Sequence, residues 1–136
     1  AVKAVSKAIP ELKGVLTGNA IRVPTPNVSL AVLVLNLKEE VTKVDLNEFL
    51  KNSAFTSKYR QIIGYTNSPE AVSTDFYSSP FATIIDSQAT IAEGSQVTLY
   101  CWYDNEFGYS KQVLNLTKKV AKIELPRFPR AIDTSV

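Results

Sequence analysis

Residues 97–110 read VTLYCWYDNEFGYS, a β-strand pattern that passes through a polar corner into a helical pattern. Valine, leucine, cysteine and tyrosine occupy alternate positions from 97 to 103 and therefore share one face of the predicted strand. The apolar run then ends in Asp104, Asn105 and Glu106, residue types that rarely build a core. Because scaffolds present polar groups to ligands at such strand-to-helix corners, we expect a binding site here.

The rest of the chain consists of short strand patterns with fewer helical ones. Helical spacing of apolar residues appears in residues 2–12 (interrupted at Pro10), in 45–52, where Asp45 and Glu48 suggest a capping pair, and in 107–123. Strands are predicted at 20–23, 28–37, 61–65, 82–85, 90–91 and 97–103, with another extended piece at 72–76. This order favours an α+β fold, with a mixed, largely antiparallel sheet and helices packed on one face. At 136 residues, we expect a single domain spanning 1–136.

The predicted strand 28–37 is apolar on both faces, whereas a strand half-exposed to water alternates between apolar and polar residues. Its second face therefore needs a cover. Either a second helical layer of the same subunit or another subunit would provide one. We favour a subunit interface.

Composition argues against several classes of function. The chain has 15 basic and 13 acidic residues, and their scatter gives no basic patch for nucleic acid or a membrane surface. No apolar run is long enough for a membrane span, and no export signal is recognisable. A metal site is not expected either, because the sequence has no histidine and one cysteine. A single unpaired cysteine suits a reducing cytoplasm.

Cys101 is the one cysteine of the sequence and therefore the one candidate for a nucleophilic thiol. It lies mid-strand between two aromatic residues, where a free cysteine behaves as a small buried hydrophobe. No histidine exists to activate it. We therefore assign no catalytic residue within this chain.

Arg22 is the best candidate phosphate ligand. A guanidinium offers paired donors that match phosphate oxygens and stays charged at any relevant pH. A predicted strand position, with Pro24 close behind, would hold it rigidly. The alternative is a surface arginine paired with a carboxylate.

Asn105 is the best candidate cofactor ligand, because an amide both donates and accepts and can therefore read a carboxamide. The alternative is an N-cap of the following helix, a position for which asparagine is a favourite. Both roles are compatible, since an N-cap region also points free backbone donors at ligands.

Several ordered motifs resemble those of the phosphorylating glyceraldehyde-3-phosphate dehydrogenases. The matching segments are AVSKAIPELKG at 4–14, LTG at 16–18, IRVPTPNVS at 21–29, IGYT at 63–66, TDF at 74–76 with two serines at 78–79, and WYDNEFGYS at 102–110. The resemblance covers most of the chain. By contrast, the tail at 125–136, with two prolines within four residues, departs from the commoner family pattern.

The resemblance implies roles for three residues. Arg22 matches the arginine that grips phosphate beside the substrate, and Asn105 matches the asparagine that orients the nicotinamide ring of NAD or NADP. Tyr109 resembles the aromatic residue packed near that ring. The family's nucleophilic cysteine, its histidine base and its nucleotide-binding domain all lie upstream of the segment that begins this chain. Together with a methionine count of zero, this leads us to expect a fragment of the catalytic domain that is inactive alone.

The activity implied for the intact parent is oxidation of glyceraldehyde 3-phosphate, with NAD(P) and inorganic phosphate, to an acyl phosphate in glycolysis or gluconeogenesis. A cytoplasmic homotetramer is implied as well. Two alternatives stay open: a sister dehydrogenase acting on erythrose 4-phosphate, and a non-catalytic interaction module that kept the scaffold and its oligomer face.

Overall fold

The computed structural model of the chain describes residues 2–123, with only the backbone of the first two of these. Within these residues nine elements follow one another: α1 (Val2–Ala8), a 3₁₀ turn (Pro10–Leu12), β1 (Ser29–Asn36), α2 (Lys43–Phe55), β2 (Ile63–Thr66), a second 3₁₀ turn (Ser73–Phe76), β3 (Thr83–Glu93), β4 (Gln96–Tyr103) and α3 (Asn105–Val120). The predicted tail at 125–136 lies outside the described residues.

The four strands form one mixed sheet in the order β1-β4-β3-β2. β4 pairs antiparallel with both β1 and β3, while β2 and β3 run parallel. Gly94, at a φ of 58°, opens the two-residue turn between β3 and β4, and a tight hairpin needs such a left-handed residue. The predicted α+β class with a mixed, largely antiparallel sheet is confirmed.

The core lies on one face of this sheet. Its centre is formed by buried residues of β3 and β4, and Leu46 and Leu50 of α2 pack against it: the buried set is Ile85, Val97, Leu99 and Cys101. Val97 is only 1% exposed. The alternation of apolar residues in 97–103 therefore correctly predicted the strand and its inward face.

The start of α2 differs from the prediction. The helix begins two residues earlier than expected, and its N-cap is Thr42, whose hydroxyl accepts from the backbone N–H of Asp45 at 3.1 Å. The same hydroxyl donates to the Asp45 carboxylate at 2.7 Å. The capping pair is therefore Thr42 with Asp45, and the proposed pairing of Asp45 with Glu48 was wrong.

The predicted strand 20–23 and the predicted extended piece 72–76 are both absent from the described part of the chain. Residues 20–23 have no regular secondary structure, and Ile21 is 82% exposed. A strand needs a hydrogen-bonded neighbour, and none of the four strands pairs with this segment. Residues 73–76 form the second 3₁₀ turn instead of an extended piece, since the Asp75 carboxylate accepts from Val72 N–H at 2.9 Å and closes the turn.

The polar break predicted between 82–85 and 90–91 is a bulge within a single strand. β3 runs through all eleven residues, and its register against β4 shifts between Asp86 and Ile91. The Asp86 side chain accepts from the backbone N–H groups of Gln88 and Ala89, which satisfies donors that the bulge removes from the ladder.

The second face of the sheet carries apolar residues at its β1 edge. Phe76 stacks on Trp102 at one end, with ring centroids 5.5 Å apart. Farther along the same face Leu30, Val32 and Val34 are 39%, 50% and 62% exposed.

None of the helices within residues 2–123 combines the length and the apolar character that a membrane span requires.

Candidate functional site

The strand-to-helix corner is built around Asp104. This residue alone separates β4 from α3, and its carboxylate caps the helix: Oδ1 accepts from the backbone N–H of Phe107 at 2.8 Å and of Glu106 at 3.1 Å. Asp104 is 3% exposed, so the expectation that all three polar residues of the corner lie outside the core was wrong for this one. A buried carboxylate is tolerated here because backbone donors satisfy it.

The second carboxylate oxygen of Asp104 joins two distant segments. Oδ2 accepts from the side-chain amide of Asn27 and from the backbone N–H of Ser78, both at 3.0 Å. The N–H of Phe107 is the main influence that holds the pKa of Asp104 below its usual range, and the other three donors act in the same direction against the effect of burial. The group is therefore an anion that three parts of the chain share.

Asn105 is the first residue of α3 and not its N-cap, so the capping alternative is wrong. Its side chain is exposed, and its amide N–H lies 3.5 Å from the Ser29 hydroxyl, at the long limit of a hydrogen bond. Tyr109 follows one turn later on the same side of the helix and is 71% exposed. An amide and an aromatic ring are thus presented together on one surface of α3.

Arg22 lies on the exposed segment between the first 3₁₀ turn and β1. Its guanidinium has no hydrogen bond or ion pair within residues 2–123, so the carboxylate partner of the alternative reading is not found there. Asn27, five residues later, connects this segment to the corner through Asp104. No hydrogen bond described in the chain joins Arg22 directly to Asn105.

Two residues beside Asp104 have strained backbones. Val28 has a φ of 67° and Ser78 a φ of 58°, and a β-branched valine is a genuine outlier in the left-handed region. Each such residue costs on the order of 1–3 kcal/mol and persists only where its surroundings over-determine it. Here the surroundings are Asn27, whose side-chain oxygen accepts from Val28 N–H at 2.7 Å, and Asp104, which accepts from Ser78 N–H.

Two open depressions meet at Ser78. The first, here called the corner pocket, has a volume of about 340 Å³ and is lined by Asn27, Ser78, Asp104, Glu106, Phe107 and Ser110. The other, of about 440 Å³, lies between β2 and residues 75–81. Arg22, Asn105 and Tyr109 line neither, because all three project from exposed surface.

Residues 1–105 match the family model of the glyceraldehyde 3-phosphate dehydrogenase C-terminal domain. The chain belongs to this family. Arg22 and Asn105 fall within the matched residues, and Tyr109 lies just beyond them.

Relatives carry the similarity over nearly the whole chain. A glyceraldehyde-3-phosphate dehydrogenase-like protein of Pseudomonas aeruginosa (strain UCBPP-PA14) is 51% identical over 96% of this chain and 28% of its own length. Glyceraldehyde-3-phosphate dehydrogenase 2 of Bacillus subtilis (strain 168) is 46% identical over 89% of the chain and 35% of its own length. Glyceraldehyde-3-phosphate dehydrogenase of Zymomonas mobilis subsp. mobilis is 42% identical over 90% of the chain and 36% of its own length. The chain thus spans little more than a third of these curated relatives at most.

In this glyceraldehyde-3-phosphate dehydrogenase family chain, Cys101 lies in the core at 5% exposure. Burial raises the pKa of its thiol, and a hydrogen bond with the Thr83 side chain opposes this only in part. The thiolate, which is the nucleophilic form, is therefore disfavoured. Within the described residues no group of three or more histidine, cysteine or acidic side chains is placed to hold a metal ion.

Sequence reasoning missed Asp104, Asn27 and Ser78 as the residues that organise the corner. Aspartate is as good an N-cap as asparagine, so the Asp104-Asn105 pair left the cap ambiguous. The partners of Oδ2 lie 77 and 26 residues away in sequence, and no local pattern connects them.

Proposed function

We propose that this chain is part of an oxidoreductase that converts glyceraldehyde 3-phosphate, NAD or NADP and inorganic phosphate to an acyl phosphate, in glycolysis or gluconeogenesis. The observation that carries this proposal is family membership over the residues that include Arg22 and Asn105. Their exposure supports it, since neither side chain is consumed by packing.

Arg22 would bind a phosphate group, either that of the substrate or the inorganic reactant. Because no described carboxylate neutralises it, its full set of donors is available to phosphate oxygens. Its segment is not held by strand pairing. The hydrogen bond from Asn27 to Asp104 would therefore be the nearest anchor that limits its position.

Asn105 would bind the carboxamide of the nicotinamide ring, and Tyr109 would pack near that ring. The hydrogen bond to Ser29 uses the Asn105 amide N–H and leaves its carbonyl oxygen available to a donor. Together the two side chains would hold the ring in one orientation relative to the substrate. The cofactor, when bound, supplies the hydride acceptor, and the chain supplies orientation.

The covalent steps belong to residues that this chain does not contain, because it has no histidine and its cysteine is buried. In the family mechanism a cysteine nucleophile from another part of the protein would bond to the aldehyde carbon, the bound nicotinamide cofactor would supply the hydride acceptor, and phosphate would take up the acyl group. We therefore propose that 1–136 is a single-domain piece of a longer catalytic domain and is inactive alone.

The exposed apolar residues of β1 support a homo-oligomer, a tetramer in the intact parent. Leu30, Val32 and Val34 form a patch on the second face of the sheet that a symmetric partner would bury. We place the parent in the cytoplasm, where the expected thiol chemistry needs a reducing medium.

The test is an assay of the full-length gene product beside the 136-residue chain. Formation of reduced cofactor is followed with glyceraldehyde 3-phosphate, and separately with erythrose 4-phosphate, with and without phosphate. We expect phosphate-dependent turnover on glyceraldehyde 3-phosphate by the full-length product and none by the chain. Faster turnover on erythrose 4-phosphate would identify the sister enzyme, and no turnover on either would support the interaction module.

A further inference from the structure

The side chain of Asp104 performs two separable tasks. One oxygen caps α3 through the N–H groups of Glu106 and Phe107. The other accepts from Asn27 and Ser78, which belong to segments far away in sequence. A helix cap requires only the first task, so the second needs its own explanation.

Both segments held by Oδ2 carry a strained residue. Ser78 itself is left-handed, and its N–H is the donor; Asn27 donates to Oδ2 while its own oxygen accepts from the N–H of left-handed Val28. The side-chain amide of Asn27 thus connects Asp104 to Val28 through two consecutive hydrogen bonds. Without an acceptor at this point, both backbones would relax toward the β or right-handed regions, which are lower in energy.

Relaxation at Val28 would propagate toward Arg22. Residues 22–27 have no strand partner, and Pro24 and Pro26 remove two backbone donors from the segment. The course of the chain there is set by where β1 begins and by the angle at Val28. The carboxylate of Asp104, between β4 and α3, therefore fixes the direction from which the Arg22 segment enters the sheet.

We propose that Asp104 is a positioning residue that sets the place of Arg22 through Oδ2, Asn27 and Val28, independently of its role as the α3 cap. This inference rests on the proposed function for its consequence in phosphate binding. Its structural part, the hold on Val28 and Ser78, stands without that function.

The two tasks can be separated by Asp104→Ser. A serine hydroxyl is a good N-cap, so α3 keeps its acceptor. The same hydroxyl is too short to serve a second pair of donors across the corner, so the links to Asn27 and Ser78 are lost. Asn27→Ala removes one link from the other side, and Thr42→Ala, which deletes the cap of α2, is the matched control for general loss of stability.

In the full-length gene product we expect Asp104→Ser and Asn27→Ala to raise the KM for phosphate about tenfold. This is the factor that corresponds to one lost hydrogen bond between the displaced Arg22 guanidinium and phosphate. The KM for the cofactor should stay within about twofold, since α3 remains capped. The double variant should be no worse than Asp104→Ser alone, because both changes break one link. Thr42→Ala should change neither KM.

Amide hydrogen exchange of the full-length gene product gives a reading that does not depend on activity. The N–H groups of Val28 and Ser78 should exchange faster in Asp104→Ser, while those of Glu106 and Phe107 keep their protection. If the wild-type gene product shows no phosphate-dependent turnover, the proposed function fails, and exchange alone judges the positioning role. Unchanged exchange at Val28 and Ser78, or equal rises in both KM values, would overturn the inference.

Discussion

The two long helices begin with the same chemistry in different settings. Thr42 caps α2 at the surface, and the hydrogen bonds of its side chain are made with Asp45, three residues away. Asp104 caps α3 while buried, and it also binds two segments that are distant in sequence. A local cap starts a helix, whereas a buried charged cap also determines which other segments can lie beside that helix.

The largest effect should come from Asp104→Ala. The change leaves four N–H donors without their acceptor, two of them at the start of α3, so we expect a loss of at least about 3 kcal/mol in the free energy of unfolding. Urea unfolding followed by the fluorescence of Trp102 measures it. A loss no greater than that of Thr42→Ala would remove the distinction between the two caps.

Gly108→Ala should come next. A Cβ at this position would lie 2.6 Å from the Phe81 carbonyl oxygen, which is backbone and cannot simply turn away. We expect a loss of about 1–3 kcal/mol, although alanine is the better helix former by about 1 kcal/mol. Thermal unfolding of this variant shows whether the substitution destabilises or stabilises the protein. Stabilisation would show that α3 does not pack against residues 79–81.

The contribution of Asp104 should also depend on pH. Its folded-state pKa is depressed, so the stability it gives is present above its unfolded pKa and is lost as pH falls through the folded pKa. The difference in unfolding free energy between wild type and Asp104→Asn should therefore be constant near neutrality and shrink below about pH 4, the ordinary range of an aspartate. Urea titrations at several pH values measure this. If the difference in unfolding free energy grows as the pH falls, the ionised Asp104 carboxylate is not the stabilising form.

Thr42→Ala should give the smallest effect. An exposed N-cap contributes about 1 kcal/mol, and no distant segment depends on this one. Circular dichroism during urea unfolding measures the loss, with Thr56→Ala, at the other end of α2, as a control of equal chemistry. If Thr42→Ala lowers the free energy of unfolding more than Gly108→Ala does, the predicted order of these two effects is wrong.

What the sequence could predict follows from the range of each interaction. β4 was predictable because alternation of apolar residues is a local signal, β1 because an unbroken run of apolar residues is one as well, and α2 because its apolar residues recur at helical spacing. The failure at 20–23 arose because β-patterned residues form a strand only beside a partner. Asp104 was missed because its partners are contributed by other parts of the chain. Arg22, Asn105 and Tyr109 depended on resemblance, and their roles remain predictions.

β1 is an edge strand of the sheet formed by residues 2–123, and it reads SLAVLVLN without charge, proline or glycine. Natural proteins protect such edges with charges, bulges or a covering element, since an uncharged apolar edge templates the addition of further strands. A preparation of the isolated chain should therefore self-associate with concentration and bind dyes that recognise cross-β ladders. A lysine at Val32 or Val34, in the middle of that edge, should keep the chain dispersed.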